Sequence, residues 1–187
     1  MKYKDRALKE YLDDLAARLP APGGGSAAAM SAAMGVSLVS MVINFTLGKP
    51  KYARYEKELQ QSLAQSEQLR EEFMRLVDLD VTAYKSKNLR NSLDVPFMVC
   101  RLCLEGIKLC PALIRKGNRN LLSDVAVAAI FLESAFASAF ANVEINLKML
   151  QDKKLTRAVR NELEKKSVQI KRLRKTTEEK VGEIIRG

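Results

Sequence analysis

Histidine is absent from all 187 residues. That excludes an imidazole general base, a Ser–His or Cys–His nucleophile pair, and imidazole metal ligands. Proton chemistry is left to Asp, Glu, Lys, Tyr or Cys, and no metal site is expected. Tryptophan is also missing, aromatics make up 6%, and there are only 9 glycines and 5 prolines. No alternating apolar/polar run of strand length occurs. Ala, Leu, Met, Lys and Glu dominate, so the balance favours helix over strand. Cysteine is scarce and odd in number: Cys100, Cys103 and Cys110. With no apolar leader in Met1-Lys2-Tyr3-Lys4-Asp5-Arg6, a reducing cytoplasm is the expected setting. Cys100 and Cys103 have CxxC spacing, but they share a helix face with Ile107 and Cys110 and read as small apolar core residues.

What is present is a hydrophobic content of 47%, enough for one sizeable domain over 1–187. The formal charge of +10 is unevenly spread. Lys153 to Gly187 holds 12 Lys/Arg against 5 Asp/Glu, and the rest of the chain holds 20 against 17. A basic C-terminal helix at about 153–186 is expected, with an apolar stripe of Leu155, Val159, Leu163, Ile170, Leu173, Val181 and Ile184. It reads as a solvated face. With no aromatic–basic platform, a nucleic-acid partner is not expected; salt-sensitive binding lost on truncating this helix would mark that alternative.

Hydrophobic periodicity predicts an all-α, up-and-down bundle of about six helices. The first runs from about Lys4 to Arg18 and the second from Ser26 to about Leu47. The third runs from Lys51 to about Lys87. The fourth is capped by Asp94, has Pro96 in its first turn, is kinked at Pro111 and ends before Gly117. The fifth runs from Leu121 to Leu150, and the last is the basic helix. The second helix is apolar all round and long enough for a bilayer, but Ser31, Ser37, Ser40 and Asn44 interrupt it and no other segment matches it. A buried central helix is expected rather than a membrane span.

Before that helix lies Pro20-Ala21-Pro22-Gly23-Gly24-Gly25-Ser26. Three consecutive glycines serve either a tight turn or a close approach of a ligand to the backbone. With Ser26 as N-cap, the free N–H groups of the next helix form a cradle for a carboxylate or polarised oxygen. Polar residues also stand where a bundle core prefers apolar ones: Asn44, Asp80, Asp124, and the i,i+4 pair Asn142 and Asn146.

These stretches resemble the cyclodeaminase/cyclohydrolase family of folate enzymes. The resemblance is carried by residues 20–26, by Met41-Val-Ile-Asn-Phe-Thr-Leu-Gly-Lys49 and by Asp80-Val-Thr-Ala-Tyr84. Lys116-Gly-Asn-Arg-Asn-Leu-Leu-Ser-Asp124 and Ala141-Asn-Val-Glu-Ile-Asn-Leu-Lys148 complete it, over about residues 5–155. It implies a homodimer that binds a tetrahydrofolate derivative as substrate, with no permanently bound cofactor. It also implies conversion of 5-formiminotetrahydrofolate to the 5,10-methenyl form with loss of ammonia, or hydrolysis of the methenyl form to 10-formyltetrahydrofolate. Asp80 falls at the family's acid. Gly23, Gly24, Gly25, Ser26, Asn44, Lys49, Asn120, Asp124, Asn142 and Asn146 are the implied substrate-binding set, with Lys49 toward the glutamate tail. Two departures stand out: a short stretch from Lys85 to Asp94, and Pro111. The alternative is a non-catalytic, ligand-binding family member acting as a partner or regulatory subunit.

Overall fold

The computed structural model describes residues 2–187 and contains seven α-helices, with no strand among those residues. They are α1 (Leu8–Ala16), α2 (Gly24–Asn44), α3 (Glu56–Ser86), α4 (Leu89–Ile107), α5 (Cys110–Lys116), α6 (Leu122–Leu150) and α7 (Lys153–Arg186). Short 3₁₀ turns at Tyr3–Asp5, Pro50–Tyr55 and Arg119–Leu121 lead into α1, α3 and α6. The all-helical bundle predicted from periodicity is what forms.

α2 is the centre of the bundle and packs on α3, α4 and α6. Its small residues allow this. A Cβ on Gly35 would lie 2.9 Å from Leu132 Cγ and 3.2 Å from the Ala128 carbonyl oxygen. One on Gly106 of α4 would lie 3.0 Å from Val36 Cγ1. Around these contacts Val36, Val39, Ile43, Phe73, Leu76, Ile107, Leu132 and Phe136 are fully enclosed. The buried Ser40 and Ser66 hydroxyls satisfy each other at 2.8 Å, so the α2–α3 seam leaves neither bare.

Several helix boundaries differ from the sequence expectation: α1 spans only Leu8–Ala16, α2 runs from Gly24 to Asn44, α3 starts at Glu56 after a 3₁₀ turn, and the largest changes are in the fourth helix. α4 begins at Leu89, capped by the Asn88 side chain, which accepts from the N–H groups of Arg90 and Asn91. Asp94 is no cap. It pairs with Arg90 one turn back, and Pro96 lies inside the helix. Asn88 wins because Lys87 takes a left-handed backbone (φ 55°) that ends α3 and turns the chain directly into α4. Pro111 breaks the helix rather than kinking it. Without an N–H it starts α5 in its first turn, which splits one predicted helix into α4 and α5.

α6 is, like α2, long and apolar enough to cross a membrane, so α2 is not alone in that property. Here both helices pack within the bundle. α7 buries Val159, Leu163, Ile170, Thr177 and Val181 and exposes most of its cations, with Lys166 and Arg174 half-buried. It is held to α4 by the two-pronged Arg101–Glu162 pair (2.7 and 2.8 Å) and to α6 by Arg160–Glu144. The three cysteines are buried core residues. Burial pushes the Cys110 thiol up to about 12 and also raises Cys100 and Cys103, so none is a ready thiolate.

The α2–α6 approach yields a stability prediction. Gly35→Val drives a branched side chain into Leu132 and is expected to cost about 1–3 kcal/mol by overpacking, read as a lower urea midpoint. An unchanged midpoint would show that the helices can separate freely.

Candidate active site

Asp80 sits in the penultimate turn of α3, where that helix crosses the first turn of α2. α2 is capped by Gly23 in extended conformation and begins at Gly24, so Ser26 is not the N-cap. Its side chain is fully buried. The Ser26 hydroxyl donates to the Val77 carbonyl at 3.0 Å and accepts from the Tyr11 hydroxyl at 3.3 Å. Its backbone N–H donates to Asp80 Oδ2 at 2.9 Å. A serine fits here because this face of α2 turns toward α1 and α3, where a cap facing outward would leave a gap.

The glycines have separate roles. A Cβ on Gly25 would lie 2.1 Å from Asp80 Oδ1, so only glycine lets the carboxylate rest on the helix. One on Gly24 would lie 3.4 Å from Asn142 Nδ2. The N–H groups of Gly24 and Gly25 have no intrahelical acceptor and point out of the helix start. Asp80 is therefore anchored by one amide and faces the positive end of the helix dipole.

A cleft of about 750 Å³ opens beside this carboxylate. It is walled by Pro20, Ala21 and Gly23–Gly25, by Asp80, Tyr84, Lys85 and Lys87, by Leu89 and Ser92, and by Asn142, Ile145, Asn146 and Met149. The apolar Leu89, Ile145 and Met149 and the Tyr84 ring are exposed within a charged surface, a lining suited to a flat, partly apolar ligand. Asn142 and Asn146 give one N–H each to the Ser138 and Ser92 carbonyls, at 2.9 and 2.7 Å, which fixes the two amides in the wall. Asp80 is the only acidic residue in the lining, and Lys85 and Lys87 are the cations at the mouth. Burial raises the Asp80 carboxyl above the usual aspartate value, and the Ser26 N–H opposes that rise.

Six of the eleven sequence candidates thus line one cleft: Asp80, Gly23, Gly24, Gly25, Asn142 and Asn146. Ser26 lies behind its wall. The other four are elsewhere in the chain. Asn44 ends α2, about 30 Å from Gly24 by helix rise, beside a groove formed with Ser37, Met41, Phe45, Glu67 and Arg70. Lys49 is exposed before the Pro50 turn. Asn120 is exposed, and its N–H bonds the Asn118 side chain. Asp124 lies in the first turn of α6. Asn118, which caps the Arg119–Leu121 turn, is buried; its N–H bonds Thr46 Oγ1 at 2.9 Å and its side-chain amide reaches the Phe45 carbonyl at 3.3 Å. It ties the start of α6 to the end of α2. Sequence reasoning missed Tyr84, one helical turn beyond Asp80, and Ile145 and Met149, which flank Asn146 at helical spacing. It also missed Tyr11, because nothing in the local sequence of α1 signals that its hydroxyl reaches α2. Among the described residues no cluster of three or more Cys, Asp or Glu side chains is arranged to hold a metal.

The chain has close counterparts among known proteins. A sequence model described as formiminotransferase-cyclodeaminase matches residues 7–87 and 85–165. The chain is 38% identical over 183 residues to a methenyltetrahydrofolate cyclohydrolase of Methylorubrum extorquens, covering 86% of this chain and 88% of that protein. It is 29% identical over 171 residues to the formimidoyltransferase-cyclodeaminase of Rattus norvegicus, covering 79% of this chain but 32% of the rat protein. The crystal structure of formiminotetrahydrofolate cyclodeaminase from Thermotoga maritima superposes with a TM-score of 0.89 at 30% identity, covering 97% of this chain and 98% of that one. The chain belongs to the formiminotransferase-cyclodeaminase family. The two matched blocks overlap at residues 85–87, where α3 passes into α4.

The raised Asp80 carboxyl couples to stability with a definite sign. A folded-state value above the unfolded one means that the native state favours the protonated acid. This stabilisation is full in acid and is lost as pH rises through the folded value. Asp80→Asn, which removes the buried charge but keeps an acceptor for Ser26, should raise Tm near neutrality, and the gain should vanish in acid. An equal Tm difference at every pH would show that burial of the charge carries no cost.

Proposed function

We propose that this chain is a folate one-carbon enzyme of the cyclohydrolase/cyclodeaminase type, with Asp80 as its acid/base. The observation that carries the reading is the lone, half-buried carboxylate held by Ser26 N–H in a cleft walled by amides and apolar side chains. The likeness to the M. extorquens cyclohydrolase over most of both chains supports hydrolysis of 5,10-methenyltetrahydrofolate as the first reading. The T. maritima cyclodeaminase supports the second.

For hydrolysis, water adds to the methenyl carbon between N5 and N10, and ionised Asp80 takes its proton. The carbon–N5 bond then breaks as Asp80 returns its proton to N5 and the new hydroxyl gives its proton to solvent, forming the formyl carbonyl, and 10-formyltetrahydrofolate leaves. In the deamination, N10 attacks the formimino carbon on N5 and passes its own proton to the imino nitrogen; protonated Asp80 then delivers a second proton to that nitrogen, so that ammonia leaves and the methenyl bridge closes. The free N–H groups at Gly24 and Gly25, with Asn142 and Asn146, offer donors and acceptors to the pterin edge. The folate carboxylates need cations. In place of Lys49 these are Lys85 and Lys87 at the mouth, with Lys148, Lys153 and Arg157 in an adjoining cleft that shares Ile145. A non-catalytic binder would keep these contacts without turnover.

The assay follows absorbance with each substrate. Asp80→Asn is expected to lower kcat by at least about 10²-fold, the lower range for a positioned acid or base. The pH limb separates the two reactions: hydrolysis gains rate as pH rises through the Asp80 value, and deamination loses it. Binding without turnover of either substrate overturns the enzyme reading, and full activity in Asp80→Asn overturns the role of Asp80.

The same reading extends to a homodimer in the cytoplasm. α2 carries no charged residue and exposes Met34, while Phe45 just beyond it and Val127 and Ile130 of α6 are also exposed (45, 57, 39 and 38%). A surface that meets its own copy avoids placing like charges opposite each other. With a twofold axis lying in that face and crossing α2 near Met34, the Asn44–Asp124 end of one copy overlies the Asp80 end of the other. Asn44, Asn120 and Asp124 of the partner subunit then complete the cleft that they do not reach within one chain. Met34→Glu is expected to give a monomer by light scattering, with turnover lost. Mixing Asp80→Asn and Asp124→Ala subunits should restore part of the activity that each lacks alone. A fully active wild-type monomer overturns this arrangement.

A further inference from the structure

α1 is a short helix whose one buried side chain is Tyr11. Exposed Leu8 and Leu12 show that α1 is not held by a broad apolar face. Tyr11 is held from outside by the ring of Tyr3, edge-on at 5.3 Å, and Tyr3 is itself tied to α3 through its N–H to Asp78 Oδ1 at 2.6 Å. From inside, the Tyr11 hydroxyl meets Ser26 Oγ, the Ser26 hydroxyl meets the Val77 carbonyl one turn before Asp80, and the Ser26 N–H meets Asp80 Oδ2. Three helices therefore converge on one serine, and among the described residues that serine supplies the one hydrogen bond to the carboxylate.

We infer that Tyr11 is a positioning residue for Asp80, acting through Ser26: its hydroxyl fixes the first turn of α2 so that the Ser26 N–H stays aimed at the carboxylate. This rests on the reading of Asp80 as the acid/base. The geometry leaves little slack. With Gly25 so close to Asp80 Oδ1, a small outward shift of the α2 start lengthens the Ser26 bond, and a shift inward is blocked. Burial holds the Tyr11 phenol above its usual value, so it remains a donor while Asp80 titrates.

The titratable groups near the carboxylate are few. α1 presents Tyr11, and the end of α3 presents Tyr84, Lys85 and Lys87. α2, α4 and α6 present only neutral groups to the cleft: Gly24, Gly25, Leu89, Ser92, Asn142, Ile145, Asn146 and Met149. Ser26 N–H favours the ionised carboxylate, so loosening it moves Asp80 upward.

The test uses Tyr11→Phe, Ser26→Ala and the double variant in the full chain. The Asp80 carboxyl is followed by carbon NMR titration, which needs no turnover, alongside the pH profile of kcat/KM. Tyr11→Phe should move the Asp80 titration up by roughly half a pH unit and lower kcat about three- to tenfold with little change in KM. Ser26→Ala should move it in the same direction, and the double variant should go no further than Ser26→Ala, because Tyr11 acts through that hydroxyl. An unmoved titration in a folded Tyr11→Phe protein overturns the proposal, as do additive effects in the double variant. If the titrations move as expected while wild type turns over neither folate, the positioning stands and the assigned reaction fails. If wild type turns over and Asp80→Asn does not, while Tyr11→Phe matches wild type, the reaction stands and the positioning fails.

Discussion

The contact between the first turn of α2 and the Asp80 carboxylate is the constraint around which the cleft is arranged. A carboxylate resting on backbone requires a residue with no side chain at position 25, and it requires α3 to cross α2 within hydrogen-bond reach of Ser26 N–H. It also fixes the register of the α2–α3 seam, because Ser26 and Val77 are locked together by the serine hydroxyl. Further along, the same register sets Ser40 against Ser66. Chemistry at one end and core packing along the middle thus depend on one alignment.

That alignment has opposing terms. Burial pushes the carboxyl toward its neutral form, while one amide and the helix start pull it toward the anion. A carboxyl so balanced can serve either sense of proton transfer. This suits a family whose relatives are named for a hydrolysis and a deamination on related folates. No histidine stands nearby to take over the task.

The helical class was legible because apolar spacing is a local signal, and α2, α3, α6 and α7 kept nearly their expected spans. Boundaries failed where a neighbouring residue competed: Asn88 out-capped Asp94 once Lys87 ended α3, and Pro111 started a helix where a kink was expected. Within the site, Asp80, the three glycines and the Asn142/Asn146 pair could be found from motif order. Ser26 was misplaced because a serine after glycines looks like a cap, and only the packing of α1 and α3 against the start of α2 shows that it faces inward. The Asn44, Asn120 and Asp124 group could not be placed, because sequence order does not reveal that α2 carries its two ends to opposite ends of the bundle.

The joint between α3 and α4 is only Lys87 and Asn88, and every residue from Tyr84 to Asn91 is exposed. Residues added there would extend one wall of the cleft while disturbing no enclosed side chain. The joint is thus a natural point for change by insertion or deletion: the reach and enclosure of the cleft can vary between lineages by length alone. The Asp80 anchor and the core are spared, and a shape for a new ligand can be tried without first losing the fold.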